Sequence, residues 1–289
     1  MAATFRPGLL EERVILVTGG GSGLGASMAC AFSELGASVA ILGRDESRLR
    51  DALPRIDPQG NRSHAVAADV RDAAAVDAAV ASVIARFGRI DVLVNNAAGN
   101  FLATSEDLSA NAFDAVVRTV LHGTFHCTRA VAPAMIERGA GVVLNIVTTY
   151  AWTGAPFVVP SAAAKAGVLA MTRSLAVEWA AHGIRVNAIA PGPFPTEGAW
   201  SRLFPSPELE EMSRARVPAG RFGRHEELCN LAVFLVSDAA PYITGEVVTI
   251  DGGEWLASGA QFSELREMPR AELREMLKRI RGGNRQQKV

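Results

Sequence analysis

The sequence predicts an α/β fold in which a doubly wound parallel sheet carries helices on both of its faces. Short apolar runs alternate with helical patterns from Arg13 onward, and this alternation is typical of repeated βαβ units. A glycine cluster directly follows the first apolar run. The length of 289 residues and the 49% share of hydrophobic residues are ample for one large buried core.

The apolar runs place the elements in order. The run VILVTG at 14–19 predicts the first strand, and ASVAILG at 37–43 predicts the second. Helices are predicted from about Leu24 to Leu35 and around Glu46 to Ala52. Because the turns after parallel strands meet at one edge of the sheet, a ligand site is expected there. Further strands are predicted at His64–Ala68, Ile90–Asn95, Gly141–Ile146, Gly183–Ala190 and Val247–Asp251.

The chain is predicted to form a single domain over residues 1–289, because neither an internal repeat nor a low-complexity linker divides it. Its core is expected at about 10–255. The stretch 193–218 is rich in proline and glutamate and is predicted to be a lid on the substrate side. The tail after Trp255 has a charged helical pattern, which predicts an appended helix at about 260–281 and a frayed end beyond it.

Composition and charge argue against several function classes. A net charge of −1 gives no broad basic field for nucleic acid, so small-molecule partners are expected. Cys30, Cys127 and Cys229 form no C-x-x-C pair, which indicates neither a disulfide framework nor a zinc site and favours the reducing cytoplasm. His122 and His126 have helical spacing but no third ligand, so no metal site is predicted. A signal-peptide core and an apolar run of about 18 residues are both missing, so neither export nor a membrane span is expected.

The glycine cluster predicts a site for a pyrophosphate. Glycines let the backbone turn sharply and approach the anion, and the helix that follows offers its N-terminal N–H groups and its dipole. A structural tight turn is the alternative, but the position between a strand and a helix favours a binding loop. The predicted cofactor contacts in this loop are Gly19, Gly20, Gly21, Ser22, Gly23, Leu24 and Gly25.

The end of the second strand indicates which nicotinamide cofactor binds. Gly43 stands where NAD-binding proteins tend to have an acidic residue, and Arg44 follows it. A carboxylate would repel a 2′-phosphate, whereas an arginine favours it, so NADPH is the predicted cofactor. In the alternative, Arg44 is merely solvated and Asp45 reaches the ribose. After the third strand, Asp69 is expected to contact the adenine edge, to cap a helix, or both.

Asparagines follow the strand VLV in the stretch NNAAGNF at 95–101. Its small residues let the backbone approach a cofactor, and Asn96 is a predicted cofactor contact. For Asn95, a structural polar network is an equally good interpretation. Asn100 lies one step further out, toward a substrate.

Together, these motifs resemble the short-chain dehydrogenase/reductase family over roughly residues 10–255. The similarity is carried by TGGGSGLG, by NNAAG, by a lysine in a helix after a strand with Ser/Thr residues, and by PGP at 191–193. The resemblance implies a single Rossmann-type domain, nicotinamide hydride transfer and a homo-oligomer, with a tetramer favoured.

Two departures from the usual Asn-Ser-Tyr-Lys set narrow the resemblance. Ser161 occupies the tyrosine position and Val120 the asparagine position. The stretches NNAAGNF, TTYAWTG with FVVPSAAAKAG, and PGPFPTEGAWSRL resemble the 2,4-dienoyl-CoA reductases, whose catalytic tyrosine lies upstream at a position that matches Tyr150. This resemblance implies NADPH-dependent reduction of 2,4-dienoyl-CoA to 3-enoyl-CoA, an auxiliary step of unsaturated fatty acid β-oxidation.

The resemblance also implies roles for individual residues. Tyr150 and Asn100 are expected to donate hydrogen bonds to the thioester oxygen, where negative charge develops after hydride attack at the far end of the conjugated system. Lys165 is expected to bind the nicotinamide ribose, with Ser161 held close by. The nicotinamide carboxamide would lie along Pro191, Gly192, Pro193 and Phe194. The CoA phosphates are assigned to Arg44, Arg71 and Arg202, and further substrate contacts to Phe101 and Ser109.

Two other functions remain open from the sequence. The first is a carbonyl reductase or another enoyl reductase on the same fold that uses Tyr150. The second is a non-catalytic NADP-binding sensor or scaffold, against which the retention of both Tyr150 and Lys165 argues. Each arginine taken alone could be a solvated surface charge.

Overall fold

The computed structural model describes residues 4–196, 200 and 206–286, and these residues build one seven-stranded sheet. Its strand order is β3-β2-β1-β4-β5-β6-β7, and every neighbouring pair is parallel. This arrangement confirms the predicted doubly wound fold, with the order reversing between β1 and β4. The strands are β1 Val14–Thr18, β2 Ser38–Gly43, β3 Ser63–Ala67, β4 Val92–Asn95, β5 Gly141–Ile146, β6 Ile184–Pro191 and β7 Val247–Ile250.

Helices connect the strands and cover both faces. A π-helical turn at Arg118–His122 joins α4 to α5, and 3₁₀ segments lie at Ala180–His182 and Ser263–Glu267. The helices are α1 Gly23–Glu34, α2 Glu46–Ile56, α3 Ala73–Phe87, α4 Ala110–Val117, α5 Gly123–Arg138, α6 Tyr150–Thr153, α7 Val159–Trp179, α8 Pro207–Arg216, α9 His225–Val236, α10 Glu254–Gly259 and α11 Arg270–Gln286.

The two-residue period of a strand divides the core between the two faces of the sheet. Ile15 and Val17 of β1 pack in a buried cluster with side chains of α1 and α9. Val14 and Leu16 pack in a second cluster with side chains of α3 and α5. Because β1 is buried on both faces, its sequence is a continuous apolar run. This run is the reason that the strand could be predicted from the sequence.

The predicted helix ends differ from the structure in two places. The C-terminal helix begins at Arg270 rather than near residue 260, because Pro269 restricts the residue before it and cannot continue a helix from the preceding segment. Helix α2 extends beyond the predicted Ala52 to Ile56, and this last turn buries the Ile56 side chain. Part of the predicted lid, residues 197–199 and 201–205, lies outside the described residues.

No helix in the described part of the chain combines the length and the apolar character that a membrane crossing requires.

Candidate active site

The carboxyl ends of β1 and β4 are joined where the strand order reverses. The Thr18 hydroxyl oxygen accepts hydrogen bonds from the backbone N–H groups of Asn96 and Ala97, each at 3.0 Å. The side-chain amide of Asn96 donates to the Thr18 carbonyl at 3.1 Å. Asn96 therefore holds the chain after β4 against the glycine loop.

A side chain is disfavoured at three glycines of this loop. Gly19 has a φ of 67°, in the left-handed region that favours glycine. A Cβ on Gly20 would lie 2.5 Å from the Ile41 side chain, and a Cβ on Gly25 would lie 2.3 Å from the Gly19 carbonyl oxygen. The loop packs tightly against β2 and against itself, so its backbone can approach a ligand at the start of α1.

The N-terminus of α1 is suited to an anion. Ser22 occupies the N-cap position without a side-chain capping bond, and the first turn contains no acidic residue. The first four N–H groups of a helix lack partners within the helix, and the helix dipole adds positive potential there. Gly21, Gly23 and Leu24 lie in the same turn. These features fit the pyrophosphate of a dinucleotide cofactor.

Arg44 follows β2 directly and is exposed. The next residue, Asp45, caps α2: its carboxylate accepts from the Ser47 hydroxyl at 2.8 Å and from the Arg48 backbone N–H at 3.2 Å. These bonds, led by the one from Ser47, hold the pKa of the Asp45 carboxyl below its ordinary value. Because the cap engages Asp45, the arrangement favours Arg44 as the group that meets a ribose or its phosphate.

Asp69 lies just beyond β3 and is paired with Arg71. The Asp69 carboxylate accepts from Arg71 Nη2 at 2.6 Å and from Nε at 2.9 Å, and this pairing lowers the pKa of Asp69. The cap of α3 is Asp72, which accepts from the backbone N–H groups of Ala74 and Ala75. The expectation that Asp69 caps a helix is therefore wrong, because Asp72 directly precedes the helix and Asp69 lies at the start of the turn that leads to it.

A buried polar network lies beneath the same sheet edge. The Asn95 side-chain amide donates to Thr128 and to Asn145, each at 2.9 Å, and Asn145 donates to Thr172 at 2.9 Å. All four side chains are buried. Within the described structure, the side-chain oxygen of Asn95 has no hydrogen-bond partner. Asn95 thus has a structural role that links β4 and β5 to α5 and α7.

Tyr150 stands at the centre of a small hydrogen-bonded group. Its hydroxyl lies 3.0 Å from the Ser161 hydroxyl, and the Asn100 amide nitrogen donates to it at 3.3 Å. The Asn100 side-chain oxygen accepts from the backbone N–H of Phe101 at 2.9 Å, which turns the amide nitrogen toward Tyr150. The structure therefore brings together three residues from separate segments: the loop after β4, the start of α6 and the first turn of α7.

The environment of Tyr150 keeps its hydroxyl protonated. Burial raises the pKa of Tyr150, although hydrogen bonds with Ser161 and Thr148 act in the opposite direction. A neutral phenol can donate a hydrogen bond throughout the neutral pH range. The group is thus suited to stabilise an oxyanion rather than to act as a base.

Lys165 is buried one turn beyond Ser161 on α7. Its ammonium donates to the backbone carbonyl of Ile146 at the end of β5. Burial lowers the pKa of Lys165 to about 8, since the charged form loses its hydration. The lysine lies on the same helix as Ser161, and its side chain is held at the carboxyl end of the sheet.

Val120 lies in the π-helical turn and is fully buried. It packs in an apolar cluster with Val168 of α7 and Ala188 of β6. The Val120 carbonyl accepts a hydrogen bond from the Thr124 hydroxyl at 2.6 Å. An apolar side chain thus fills the position that the usual set of the family assigns to asparagine.

The segment after β6 is fixed against neighbouring elements. The Gly192 N–H donates to the Ile250 carbonyl, and the Pro193 carbonyl accepts from the Gly223 N–H, both at 3.0 Å. The Phe194 ring is buried, and a Cβ on Gly223 would lie 2.3 Å from it. Pro191 ends β6, so these residues continue from the sheet edge where the glycine loop lies.

His225 connects this segment to helix α1. Its ring nitrogens lie 2.7 Å from the Ser27 hydroxyl of α1 and 2.6 Å from the Pro195 carbonyl. Close by, a Cβ on Gly23 would lie 3.5 Å from the Thr196 side chain. The segment 191–196 therefore packs beside the start of α1, next to the glycine loop.

The other residues that the sequence predicts to contact a substrate lie in different surroundings. Phe101 is half-buried against the apolar cluster that contains Val120. The Ser109 hydroxyl caps α4 by accepting from the Ala112 N–H at 3.2 Å. Arg202 lies outside the described residues.

Sequence reasoning missed several residues that shape this site. The Thr18 hydroxyl orders the loop after β4, Thr148 bonds with Tyr150, and His225 connects α1 to the segment 191–196. Thr18 and Thr148 stand at strand ends next to recognised motifs, which is the signal that could have found them. His225 carries no local signal, because its partners are distant in sequence.

Comparisons with known proteins agree with this geometry. The sequence matches the family described as enoyl-(acyl carrier protein) reductase over residues 19–254. It is 44% identical over 249 residues to the Bacillus subtilis (strain 168) "Probable 2,4-dienoyl-CoA reductase [(2E)-enoyl-CoA-producing]", covering 86% of this chain and 98% of that protein. It is 42% identical over 255 residues to the Caenorhabditis elegans "Probable 2,4-dienoyl-CoA reductase 3 [(3E)-enoyl-CoA-producing]", covering 86% of this chain and 82% of that protein.

A solved structure shows the same likeness. The crystal structure of a short chain dehydrogenase from Bacillus anthracis is 44% identical in sequence and superposes with a TM-score of 0.80, covering 88% of this chain and 99% of that one. With a family match over most of the sheet and the relatives above, the chain belongs to the short-chain dehydrogenase/reductase family, in its 2,4-dienoyl-CoA reductase subgroup.

Proposed function

We propose that this protein reduces 2,4-dienoyl-CoA thioesters to 3-enoyl-CoA with NADPH, as an auxiliary step of unsaturated fatty acid β-oxidation. The observation that carries the proposal is the group formed by Asn100, Tyr150 and Ser161, in which the phenol lies upstream of the family's usual position. The names of both relatives point to the same substrate class.

The reaction explains why the hydrogen-bond donors are arranged in this way. Bound NADPH supplies a hydride, which adds at C5 of the dienoyl system. An electron pair then moves through the conjugated carbons to the thioester oxygen, so negative charge develops far from the point of attack. The Tyr150 O–H and the second N–H of Asn100 are the donors proposed for that oxygen.

Two further residues support this arrangement. The Ser161 hydroxyl, 3.0 Å from the Tyr150 hydroxyl, holds the phenol in place. Lys165 is proposed to bind the nicotinamide ribose, because its ammonium is held at the carboxyl end of β5, on the same sheet edge as the glycine loop. The glycine loop with Asn96, Asp69 and the segment 191–194 are the proposed remaining cofactor contacts.

The position of protonation decides the product. A proton added at C2 of the dienolate, from water in this proposal, leaves a C3=C4 double bond and gives 3-enoyl-CoA. A proton added at C4 would instead give 2-enoyl-CoA. The names of the two relatives differ on this point, since one specifies the 2E and the other the 3E product.

A labelled reaction tests the function and the product together. The purified protein is mixed with NADPH and 2,4-hexadienoyl-CoA, and the absorbances of both are followed. In D₂O the expected product carries deuterium at C2 of the acyl chain. When NADPH is deuterated at C4 of its nicotinamide ring, a second deuterium is expected at C5 of the acyl chain. Deuterium at C4 would overturn the 3-enoyl assignment. NADPH oxidation with crotonyl-CoA or a simple ketone, but none with the dienoyl thioester, would favour the other enoyl or carbonyl reductases.

The choice of NADPH rests on Arg44, which is exposed directly after β2 while Asp45 is engaged as a helix cap. A charge-assisted contact to a 2′-phosphate contributes roughly 1.5 to 3 kcal/mol. Arg44→Ala should therefore lose about tenfold to a hundredfold of the preference for NADPH over NADH. Arg50→Ala is the matched control, because Arg50 is exposed on α2 and pairs with Glu46. An unchanged ratio of the two KM values in Arg44→Ala would count against NADPH recognition by this residue.

The CoA contacts and the assembly complete the proposal. Arg44, Arg71 and Arg202 are proposed to face the CoA phosphates, and Phe101 and Ser109 to contact the acyl thioester. For Arg71, this role requires N–H groups beyond those that bond with Asp69. A cytoplasmic homotetramer is the proposed state, and sedimentation of the purified protein measures its mass.

A further inference from the structure

An apolar surface lies next to the group of Asn100, Tyr150 and Ser161. Leu102 is 48% exposed, Trp152 37% and Phe157 55%. Leu102 follows Asn100 by two residues, and Trp152 lies with Tyr150 on the four-residue helix α6. The backbone N–H of Ala103 donates to the Phe157 carbonyl at 2.9 Å, which joins the loop of Leu102 to the loop of Phe157.

Phe157 is held in an unfavourable backbone conformation without the compensation of burial. Its φ is 66°, in the left-handed region that costs a non-glycine residue free energy. The ring is more than half exposed, so core packing does not explain why an aromatic residue stands there. Strain of this kind persists where the surrounding structure and a function require it.

Trp152 is also oriented by its neighbours. Its ring contacts the Trp255 ring edge to face, with centroids 5.6 Å apart and an interplanar angle of 84°. Trp255 is anchored in turn, since its backbone N–H donates to the Asp251 carboxylate at 2.9 Å. The pair forms a fixed aromatic wall between α6 and α10.

We propose that Leu102, Trp152 and Phe157 bind the hydrocarbon tail of the acyl thioester, beyond its conjugated carbons, and set a preference for longer chains. This inference rests on the proposed function. The tail is the occupant because these side chains flank the residues proposed to hold the thioester oxygen of the same molecule. The neighbouring loop carries the acidic residues Glu106 and Asp107, whose charge disfavours the CoA phosphates on this side.

The test compares 2,4-decadienoyl-CoA with 2,4-hexadienoyl-CoA, which differ by four methylene groups. Burial of those groups against one wall should raise kcat/KM for the longer substrate by about tenfold in the wild type. Phe157→Asn and, separately, Trp152→Ala should each remove most of that advantage. Asparagine tolerates the left-handed conformation, so Phe157→Asn deletes the ring with little backbone cost.

The chain offers a matched control in Phe262→Asn. Phe262 is 72% exposed and has a φ of 67°, but it lies in the C-terminal segment. Its substitution should leave the ratio of the two kcat/KM values unchanged. Thermal melting and NADPH binding verify that each variant is folded, and Leu102→Ser provides a third probe of the surface.

The outcomes separate this inference from the proposed function. If the wild type reduces neither thioester, the proposed function fails. If it reduces both and the ratio of the two kcat/KM values is the same in wild type, Phe157→Asn and Trp152→Ala, the assignment of this surface to the hydrocarbon tail is wrong. A ratio that falls equally in Phe262→Asn also overturns it. A change in sedimenting mass with an unchanged ratio would instead identify the surface as an interface between copies of the chain.

Discussion

Tyr150 and Tyr242 are the two tyrosines of the chain, and their surroundings differ in almost every respect. Tyr242 is fully exposed. Tyr150 accepts a hydrogen bond from Asn100, contacts the Ser161 hydroxyl and has a pKa that burial raises. The proposed chemistry therefore depends on one phenol, and the other provides an internal comparison.

Replacing Tyr150 with phenylalanine keeps the ring and deletes the donor. We expect kcat for dienoyl-CoA reduction to fall by about 10² to 10³, the usual cost of losing one oxyanion donor, while NADPH binding persists. Single-turnover kinetics with saturating NADPH and dienoyl-CoA measure the chemical step. Tyr242→Phe is the control and should match the wild type. A Tyr150→Phe enzyme with a nearly wild-type rate would mean that the ring merely packs beside the cofactor.

Asn100→Ala should produce a similar loss. Because both donors address one oxygen, the losses in the double variant with Tyr150→Phe need not add. A double-mutant cycle on kcat measures this coupling. Strict additivity would indicate that the two residues act on different atoms.

Lys165 gives the apoprotein a characteristic pH dependence. Burial lowers its pKa from 10.5 in the unfolded chain to about 8 in the folded protein. Between these two pH values the unfolded chain holds a proton that the folded protein has released, so stability rises with pH over this range. The gain amounts to about 3 kcal/mol if the whole shift is realised.

Lys165→Met should therefore be more stable than the wild type at pH 7, by up to about 3 kcal/mol. The difference should shrink as the pH rises from about 8 toward about 10.5. Urea unfolding of both proteins at a series of pH values measures it. Cys127 and Cys229, whose pKa values burial raises to about 12, act in the opposite direction above pH 9 but cancel in the comparison. A constant difference across this range would contradict a lowered pKa for Lys165.

At the scale of elements, the turn from β1 to α1 is the most constrained connection. A Cβ on Gly25 would lie 2.3 Å from the Gly19 carbonyl and 2.5 Å from the Asn96 amide nitrogen. Gly25→Ala must therefore displace the Gly19 backbone of the glycine loop and the Asn96 side chain. We expect it to lower the free energy of unfolding by about 1 to 3 kcal/mol and to weaken NADPH binding more than tenfold.

Gly259→Ala is the control for this substitution, because a Cβ there meets nothing within 4 Å. Calorimetric titration with NADPH and thermal melting should find it close to the wild type. If Gly25→Ala binds NADPH with unchanged affinity, the loop is a structural turn rather than a cofactor site.

At the scale of the whole molecule, the C-terminal helix α11 follows the sheet and the helices that cover it. The family match ends at residue 254, whereas α11 begins at Arg270. The buried side chain in the described part of α11 is Leu273. Removal of residues 270–289 should therefore cost about 1.5 to 3 kcal/mol, the value of burying one leucine, and should leave NADPH binding intact. Urea unfolding and cofactor titration measure both, and loss of the folded sheet would show that the helix is part of the core.

The sequence by itself determined the strands, the glycine loop and the upstream tyrosine. These features are local: β1 is an unbroken apolar run, the glycines follow it directly, and Tyr150 follows β5 within a recognisable stretch. A local pattern could not show that Asp72 rather than Asp69 caps α3, since both stand in the same short turn.

The tertiary structure alone decided which distant residues meet. Asn100, Tyr150 and Ser161 come from three segments, and the parallel strand order brings their carboxyl-end loops to one edge. The lowered pKa of Lys165 also needs the complete fold, because desolvation is the sum of all the atoms that exclude water from the ammonium. A sequence provides candidates for such contacts, but the distances between them and their burial are set only when the strands and helices pack together.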